Sequence, residues 1–407
     1  MTVTDFLRDN APYLTAGFLL TFLSSFGQTF FISIFAGRIM EAFSLSHGQW
    51  GLIYGIGTFS SAALMVWAGG LTDRYRVRVL APVFLVLLAV ACLAMAINPV
   101  WWGLAFVIFA LRFGGQGMTS HIAVVAMSRW FIATRGRALA VATLGYAIGE
   151  ALLPLIFVGL MVFVDWRILW VVAATIALFG ILPLRKLLRL ERTPASLAEE
   201  NQAVGMGGLH WTRNQTLRHY LFWFMVPALL GPSAFGTAFF FHQVHFADLK
   251  DIAHVELVAM YPFFTLVSIG AMIGSGWALD RYGAAALIPY FQIPIVLGFV
   301  FFAYATGPFG LLAGFFFIGL SIGFNTTLPA AFWAEFYGTG NIGSIKAMAT
   351  AVMVLGSAIG PGVTGVLIDL GIGLETQYLL VGVYFIIATI MMMIGVSRAR
   401  PALPLAA

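Results

Sequence analysis

Twelve times between residues 12 and 396 the chain runs apolar for about eighteen residues or more, each run long enough as a helix to cross a hydrocarbon core of about 30 Å. The runs cover roughly 12–36, 48–70, 79–98, 100–127, 138–164, 166–184, 219–246, 255–279, 284–305, 308–333, 344–369 and 376–396. Lipid offers no hydrogen bonds, so a spanning segment must satisfy its own backbone, and a continuous apolar run does so as a helix. A transmembrane barrel would need segments of about ten residues alternating apolar and polar, and no such alternation occurs. Charged residues make up only 9% of the 407, too few to solvate the surface of a soluble globule. The expectation is an all-α membrane protein of twelve transmembrane helices, numbered here spans 1 to 12 in chain order.

The net charge of +5 would suit a nucleic-acid binder, but the placement of the charges argues otherwise. Of the 21 Lys and Arg, 17 lie at the two ends or in, or within three residues of, the connections that follow even-numbered spans. The opposite connections hold only Arg38, Arg167 and Lys250, and Arg112 lies inside a span. This is the asymmetry of cytoplasmic loops, so both termini are expected in the cytoplasm. The start, "MTVTDFLRDN", lacks the basic region and cleavage site of a secretory signal, so span 1 is expected to remain. The lone cysteine, Cys92, falls in span 3 and reads as a small buried residue, with no partner for a disulfide or a cysteine-rich metal site.

The chain is also written twice. "FGQTFF" at 26–31 returns as "FGTAFF" at 235–240, and "GYAIGE" at 145–150 returns as "GSAIGP" at 356–361. Between them, Gly-x-x-x-Asp-Arg-Tyr occurs at Gly69–Tyr75 and again at Gly276–Tyr282. The offsets are nearly equal and fall at spans 1/7, 5/11 and 2/8, which implies a duplicated six-helix unit. The division expected is a first bundle over 1–184, a cytoplasmic linker over 185–218, and a second bundle with a short tail over 219–407. Paired bundles of this kind can rock about a midplane site and expose it to each side in turn. The repeated string stands where spans 2 and 8 end. There Asp73 and Asp280 can accept from helix N-terminal N–H groups, and Arg74 and Arg281 can pair across a closing gate.

With these strings the chain resembles the major facilitator superfamily over essentially its whole length. The family's loop signature is matched by Gly69, Asp73, Arg74 and Arg78, with Arg76 and Val77 departing from it; the second copy keeps Gly276, Asp280, Arg281 and Gly283. The resemblance implies two pseudo-symmetric six-helix bundles and secondary transport. It is loosely similar to the oxalate/formate and monocarboxylate branch, although that branch's span-8 arginine falls here on Met272. Arg112 with Gln116, and Gly145 to Glu150, are similar in turn to elements of proton-coupled drug antiporters, one residue longer in the first case and with Glu in place of Pro in the second.

Two ionisable groups sit halfway along spans, where each costs about 2.5–3.5 kcal/mol on insertion scales. Arg112 in span 4 shares a helix face with Gln116 and Thr119 at 100° per residue; Glu150 in span 5 shares one with Tyr146 and Thr143. Either Arg112 binds an anionic group of a substrate while Glu150 takes up and releases a proton, or the two form a permanent ion pair joining spans 4 and 5. Gln28 with Thr21 and Ser24 on span 1, Asn325 with Ser321 on span 10, and His242 on span 7 are further candidates to line a pathway. His242 and His245 lack a third metal ligand, and His121 reads as packing. Glycines four apart, Gly145/Gly149, Gly270/Gly274 and Gly356/Gly360 among them, read as close helix contacts.

Three function classes compete. A gradient-driven transporter, proton-coupled and carrying a small organic anion such as a monocarboxylate, fits the duplicated bundle and the midplane charges. The alternative within this class is a proton-coupled exporter of drugs or metabolites. No phosphate-binding loop occurs, so direct use of ATP is not expected. A membrane-embedded hydrolase would rest on "GLSIG" at 319–323, which lies inside an apolar helical run rather than at a strand-to-helix turn. A sensor would ordinarily carry an attached signalling domain. The expected partners are the substrate, protons and the bilayer of a bacterial inner membrane, with no cofactor, metal or nucleic acid, and a monomer as the working unit.

Overall fold

The computed structural model describes residues 3–131, 135–190, 204–338 and 341–403; the side chains at 3, 4, 73, 74, 128, 129, 135, 136, 190, 280, 343 and 344 lie outside that description. Among the described residues every regular element is a helix. Ten helices are long and apolar enough to cross a membrane unaided. They supply span 2 (His47–Ala68), span 3 (Val77–Ile97), span 5 (Arg135–Leu160) and span 6 (Trp166–Phe179, continued by Ile181–Leu187). In the second half they supply span 7 (Tyr220–Phe241), span 8 (Tyr261–Tyr282), span 9 (Ala284–Leu287 with Ile293–Tyr304), span 10 (Pro308–Tyr337), span 11 (Ile342–Asp369) and span 12 (Leu374–Ala399).

The remaining two spans are interrupted, and together they bring the number to the expected twelve. Span 1 runs as Ala11–Ser24, tightens into a single turn at Ser25–Gly27, and restarts at Thr29 with a bend of 46° before ending at Phe43. Gln28, between the two parts, is fully extended, with φ −88° and ψ 155°. Span 4 is helical over Gly103–Leu111 and Ser120–Trp130, but between them Arg112–Thr119 winds as a π-helix. That segment reads RFGGQGMT, and three glycines in eight residues remove side chains that would otherwise favour the tighter winding.

The chain divides into two compact units. The first holds Met1–Ala198 together with Phe240–His245 and Ala253–Ala259; the second holds Glu199–Phe239, Phe246–Ile252 and Met260–Ala407. In the first unit span 1 packs on span 5, span 2 on span 4 and span 3 on span 6. In the second, span 8 packs on span 10 and span 9 on span 12, while Gly356 and Gly360 of span 11 lie against the backbone of span 7 at Leu230 and Ala234. The same three pairings recur in each half, as a duplicated unit requires. Not every glycine pair takes part: Gly145 and Gly149 press on Phe18, Thr21 and Ser25, whereas Gly270 and Gly274 face open space, so there the four-residue spacing is no helix contact.

Aromatic rings fill the core of the first unit where spans 1, 5 and 6 meet. Phe31 stands edge-on to Phe26, Phe157 and Trp170 at 5.1, 4.9 and 5.4 Å. Edge-to-face pairs at such distances add about 0.5–1.5 kcal/mol each beyond the area they bury. They anchor span 1 on both sides of its break. Cys92 is fully buried in span 3, as expected of a packing residue.

Candidate substrate site

The break in span 1 and the π segment of span 4 lie against each other, and the reason is glycine. A Cβ on Gly27 would run into the Leu111 carbonyl and Gly115, and a Cβ on Gly115 would meet Gly27 in return, so the two backbones touch only because neither residue has a side chain. At the break the usual helical pairing fails: Phe31 N–H turns to Gln28 O at 3.2 Å, which leaves the Gly27 carbonyl free inside the bundle. A buried carbonyl without a donor costs about 1–3 kcal/mol. Arg112 supplies the donor.

Arg112 is 2% exposed. Its Nη1 donates to Gly27 O at 3.3 Å and to Thr29 Oγ1 at 3.1 Å, and the guanidinium lies 5.5 Å from the Tyr54 ring centre. Thr29 Oγ1 and Tyr54 Oη are themselves hydrogen-bonded at 2.5 Å, so spans 1 and 2 together hold one edge of the guanidinium. The other edge is unspent: Nε is buried with no hydrogen-bond partner.

Glu150, 9% exposed on span 5, accepts a hydrogen bond from Tyr146 Oη at 3.1 Å. Tyr146 lies within electrostatic reach of Glu150, Arg112 and Tyr54 together, and its ring stands edge-on to Phe30 at 5.6 Å. Tyr146 is thus hydrogen-bonded to the acid and electrostatically coupled to the base. Among the described residues there is no Arg112–Glu150 ion pair within 4 Å; each group has its own neighbours, which removes the reading of a permanent bridge between spans 4 and 5.

The other sequence candidates are distributed unevenly around this centre. Gln28 sits at the break itself, 6% exposed, and its amide makes no hydrogen bond among the described residues. Thr21 and Ser24, expected beside it, are spent on span packing, bonding the carbonyls of Phe18, Ala142 and Thr21. Gln116 is exposed, and Thr119 is buried with its hydroxyl on Gly114 O at 2.6 Å. The expected common face of Arg112, Gln116 and Thr119 assumed 100° per residue, and a π-helix, with its i→i+5 bonds, turns by less at each step. Thr143 is likewise exposed, its hydroxyl bonded to its own helix at Leu139 and Ala140. Asn325 lies in the second unit, half-buried, and makes no hydrogen bond among the described residues.

His242 is buried in the first unit, with its ring 5.9 Å from His47, and the His245 ring lies 4.4 Å from that of His47, tilted by 51°. The third histidine missing from the sequence reading is thus His47, yet no three such side chains among the described residues are placed to hold a metal.

Fold and site geometry leave one question of kinship, and the sequence matches the model of the Major Facilitator Superfamily over residues 17–361, most of its length. The chain belongs to that superfamily. It is therefore a multi-pass membrane transporter and not an enzyme. Members of the superfamily among solved structures share the fold at low identity. A bacterial homolog of the human lysosomal transporter Spinster, in an inward-facing and unoccupied conformation, superposes with TM-score 0.74 at 15% identity, covering 98% of this chain and 99% of that one. The nucleoside transporter NupG superposes with TM-score 0.70 at 15% identity, covering 95% and 98%. Among curated proteins none matches the sequence.

Of the expected gate residues, Asp73, Arg74 and Asp280 have side chains outside the description. Arg281 is described, and it lies over Trp277 and Tyr282 of its own helix, 5.7 and 5.6 Å from their ring centres. The carboxylate at the N-terminus of span 9 is that of Glu335, which accepts from Ala284 N at 2.7 Å and Ala285 N at 3.2 Å. Sequence reading did not single out Glu335, Thr29 or Tyr54. The first carried a signal, a lone acid closing an apolar run; the two hydroxyls carried none.

Proposed function

We propose that this superfamily member is a proton-coupled secondary transporter of a small organic anion such as a monocarboxylate, working by alternating access. The observation that carries the reading is the half-used guanidinium of Arg112. Its Nη1 edge is fixed to the broken span 1, and its buried Nε has no partner. A planar fork held along one edge and open along the other is preorganised for a carboxylate, which accepts two parallel hydrogen bonds. Discontinuous helices at midplane serve ion and substrate sites in many transporter folds.

In this reading Gln28, Gln116, Tyr146, Asn325 and His242 line the pathway, and Glu150 carries the coupling proton, with Tyr146 relaying the charge state of one group to the other. Asp73, Arg74, Asp280 and Arg281 belong to the gate. The bundles over 1–184 and 219–407, joined by the linker 185–218, are the moving parts. Both termini are cytoplasmic, the membrane is the inner membrane of a bacterium, and the monomer is the working unit.

The test is a thermal-shift screen of purified protein against carboxylates, sugars, amino acids and lipophilic cations, repeated with Arg112→Ala. Stabilisation by carboxylates that disappears in the variant is expected. Stabilisation by lipophilic cations instead would replace this reading with that of a drug or metabolite exporter.

A further inference from the structure

The linker between spans 6 and 7 carries an ordered segment that charge alone did not reveal. Residues 204–219 belong to the second unit and lie against the end of span 10 and the start of span 11. Trp211 N donates to Tyr337 O at 3.0 Å, and Asn341 Nδ2 donates to Trp211 O at 3.2 Å, so one residue bonds both the last residue of span 10 and the residue that precedes span 11. Met206 is 3% exposed within the core cluster that contains Phe336, Tyr337 and Ile345. The indole N–H of Trp211 folds back onto Met206 O at 3.1 Å, and Gly205 N–H closes on Leu209 O at 2.9 Å.

The sequence GMGGLHW is fitted to this course. A Cβ at Gly205 would come within about 2.5 Å of Phe336 O and the Tyr337 carbonyl carbon, and Gly207 and Gly208 both adopt positive φ, at 66° and 69°. A tether meant only to join two bundles needs none of these features.

His219 fixes the far end. Its ring stands 4.8 Å from Trp211, 4.4 Å from Tyr220 and 6.1 Å from Tyr337. The rings facing it are therefore an indole from the linker segment, a phenol from its own helix and a phenol from span 10, and burial disfavours its charged form. Its Nδ1 is buried with no acceptor in reach. A second proton on this imidazole would put an unsatisfied N–H and a charge into an aromatic wall, so burial lowers the His219 pKa from its ordinary value.

We propose that residues 204–219 form a latch over the end of span 10 and the start of span 11, docked while His219 is neutral and released when it is protonated. The sign follows from the lowered pKa: docking is fully favoured above the ordinary histidine range and is lost as pH falls through the lowered value. The latch acts on the inner end of spans 10 and 11 whatever the cargo, so it stands or falls independently of the anion reading above.

Amide hydrogen exchange of the full-length protein in detergent, corrected for intrinsic rates, tests it at about pH 7.5 and about pH 5. Peptides covering 205–219 and 336–338 are expected to lose protection several-fold at the acidic pH in the wild type and to keep it in His219→Gln. Trp211→Ala is expected to lose protection at both pH values. Equal protection of the wild type at the two pH values overturns the latch. So does loss in His219→Gln matching that of the wild type, and so does a Trp211→Ala protein that stays protected.

Discussion

Arg112 illustrates how a single side chain can answer a structural demand and leave a chemical capacity over. One edge satisfies a carbonyl that the span 1 break strands; the other edge, with Nε buried and unpaired, carries a cost of about 1–3 kcal/mol that an arriving anion would relieve. Arg112→Lys keeps the charge but loses the fork, and carboxylate affinity measured by calorimetry is expected to fall about 10- to 100-fold, the equivalent of one charged hydrogen bond. Glu150→Gln should still accept from Tyr146 and reach the membrane normally. Uptake into vesicles by that variant is expected to be flat across a pH series that modulates the wild type; an unchanged pH profile would remove Glu150 from proton coupling. Arg112 and Glu150 were legible in the sequence because charge in the middle of an apolar run is expensive, and Tyr146 because it shares a helix face with Glu150. Thr29 and Tyr54 were not, since a hydroxyl in a span is cheap and common, and only the fold tells which hydroxyl meets a guanidinium.

At the scale of elements, the bend of span 1 and the π segment of span 4 both fall in the first half and touch each other. Their counterparts in the second half do not follow them: span 7 is continuous from Tyr220 to Phe241 despite Pro227 and Pro232, and span 10 is one helix of 30 residues. The asymmetry marks the site more sharply than any motif does. Helix number and the repetition of one six-helix unit followed from apolar length and repeat offsets, because these are properties of whole segments. The break at Gln28 was hidden, as no proline announces it and the deciding contact, Gly27 on Gly115, joins residues far apart in sequence. The π turn had a trace in RFGGQGMT, yet a reading at 100° per residue passes over it and misplaces Thr119. Gly115→Ala tests the contact directly. Overpacking of this kind costs about 1–3 kcal/mol, and here two backbones would have to part. A lowered melting temperature and loss of carboxylate-induced stabilisation are expected together; a variant with wild-type values for both would show that the approach is not required.

For the whole molecule, composition and charge placement were sufficient to assign a twelve-span membrane protein, whereas substrate chemistry was visible only as a few costly residues. Topology is directly measurable: reporter domains fused after residue 407 and within 191–203 should both be active only in their cytoplasmic form, as the clustering of 17 Lys and Arg at the two ends and around the connections after even-numbered spans predicts. An active periplasmic reporter at either position would reverse the orientation. The solitary thiol has a practical corollary. Cys92 is wholly enclosed in span 3, so the natural chain should stay silent to maleimide until it is denatured. Any sulfhydryl introduced elsewhere would then speak alone, and each position along the translocation route could be interrogated without first editing the native protein.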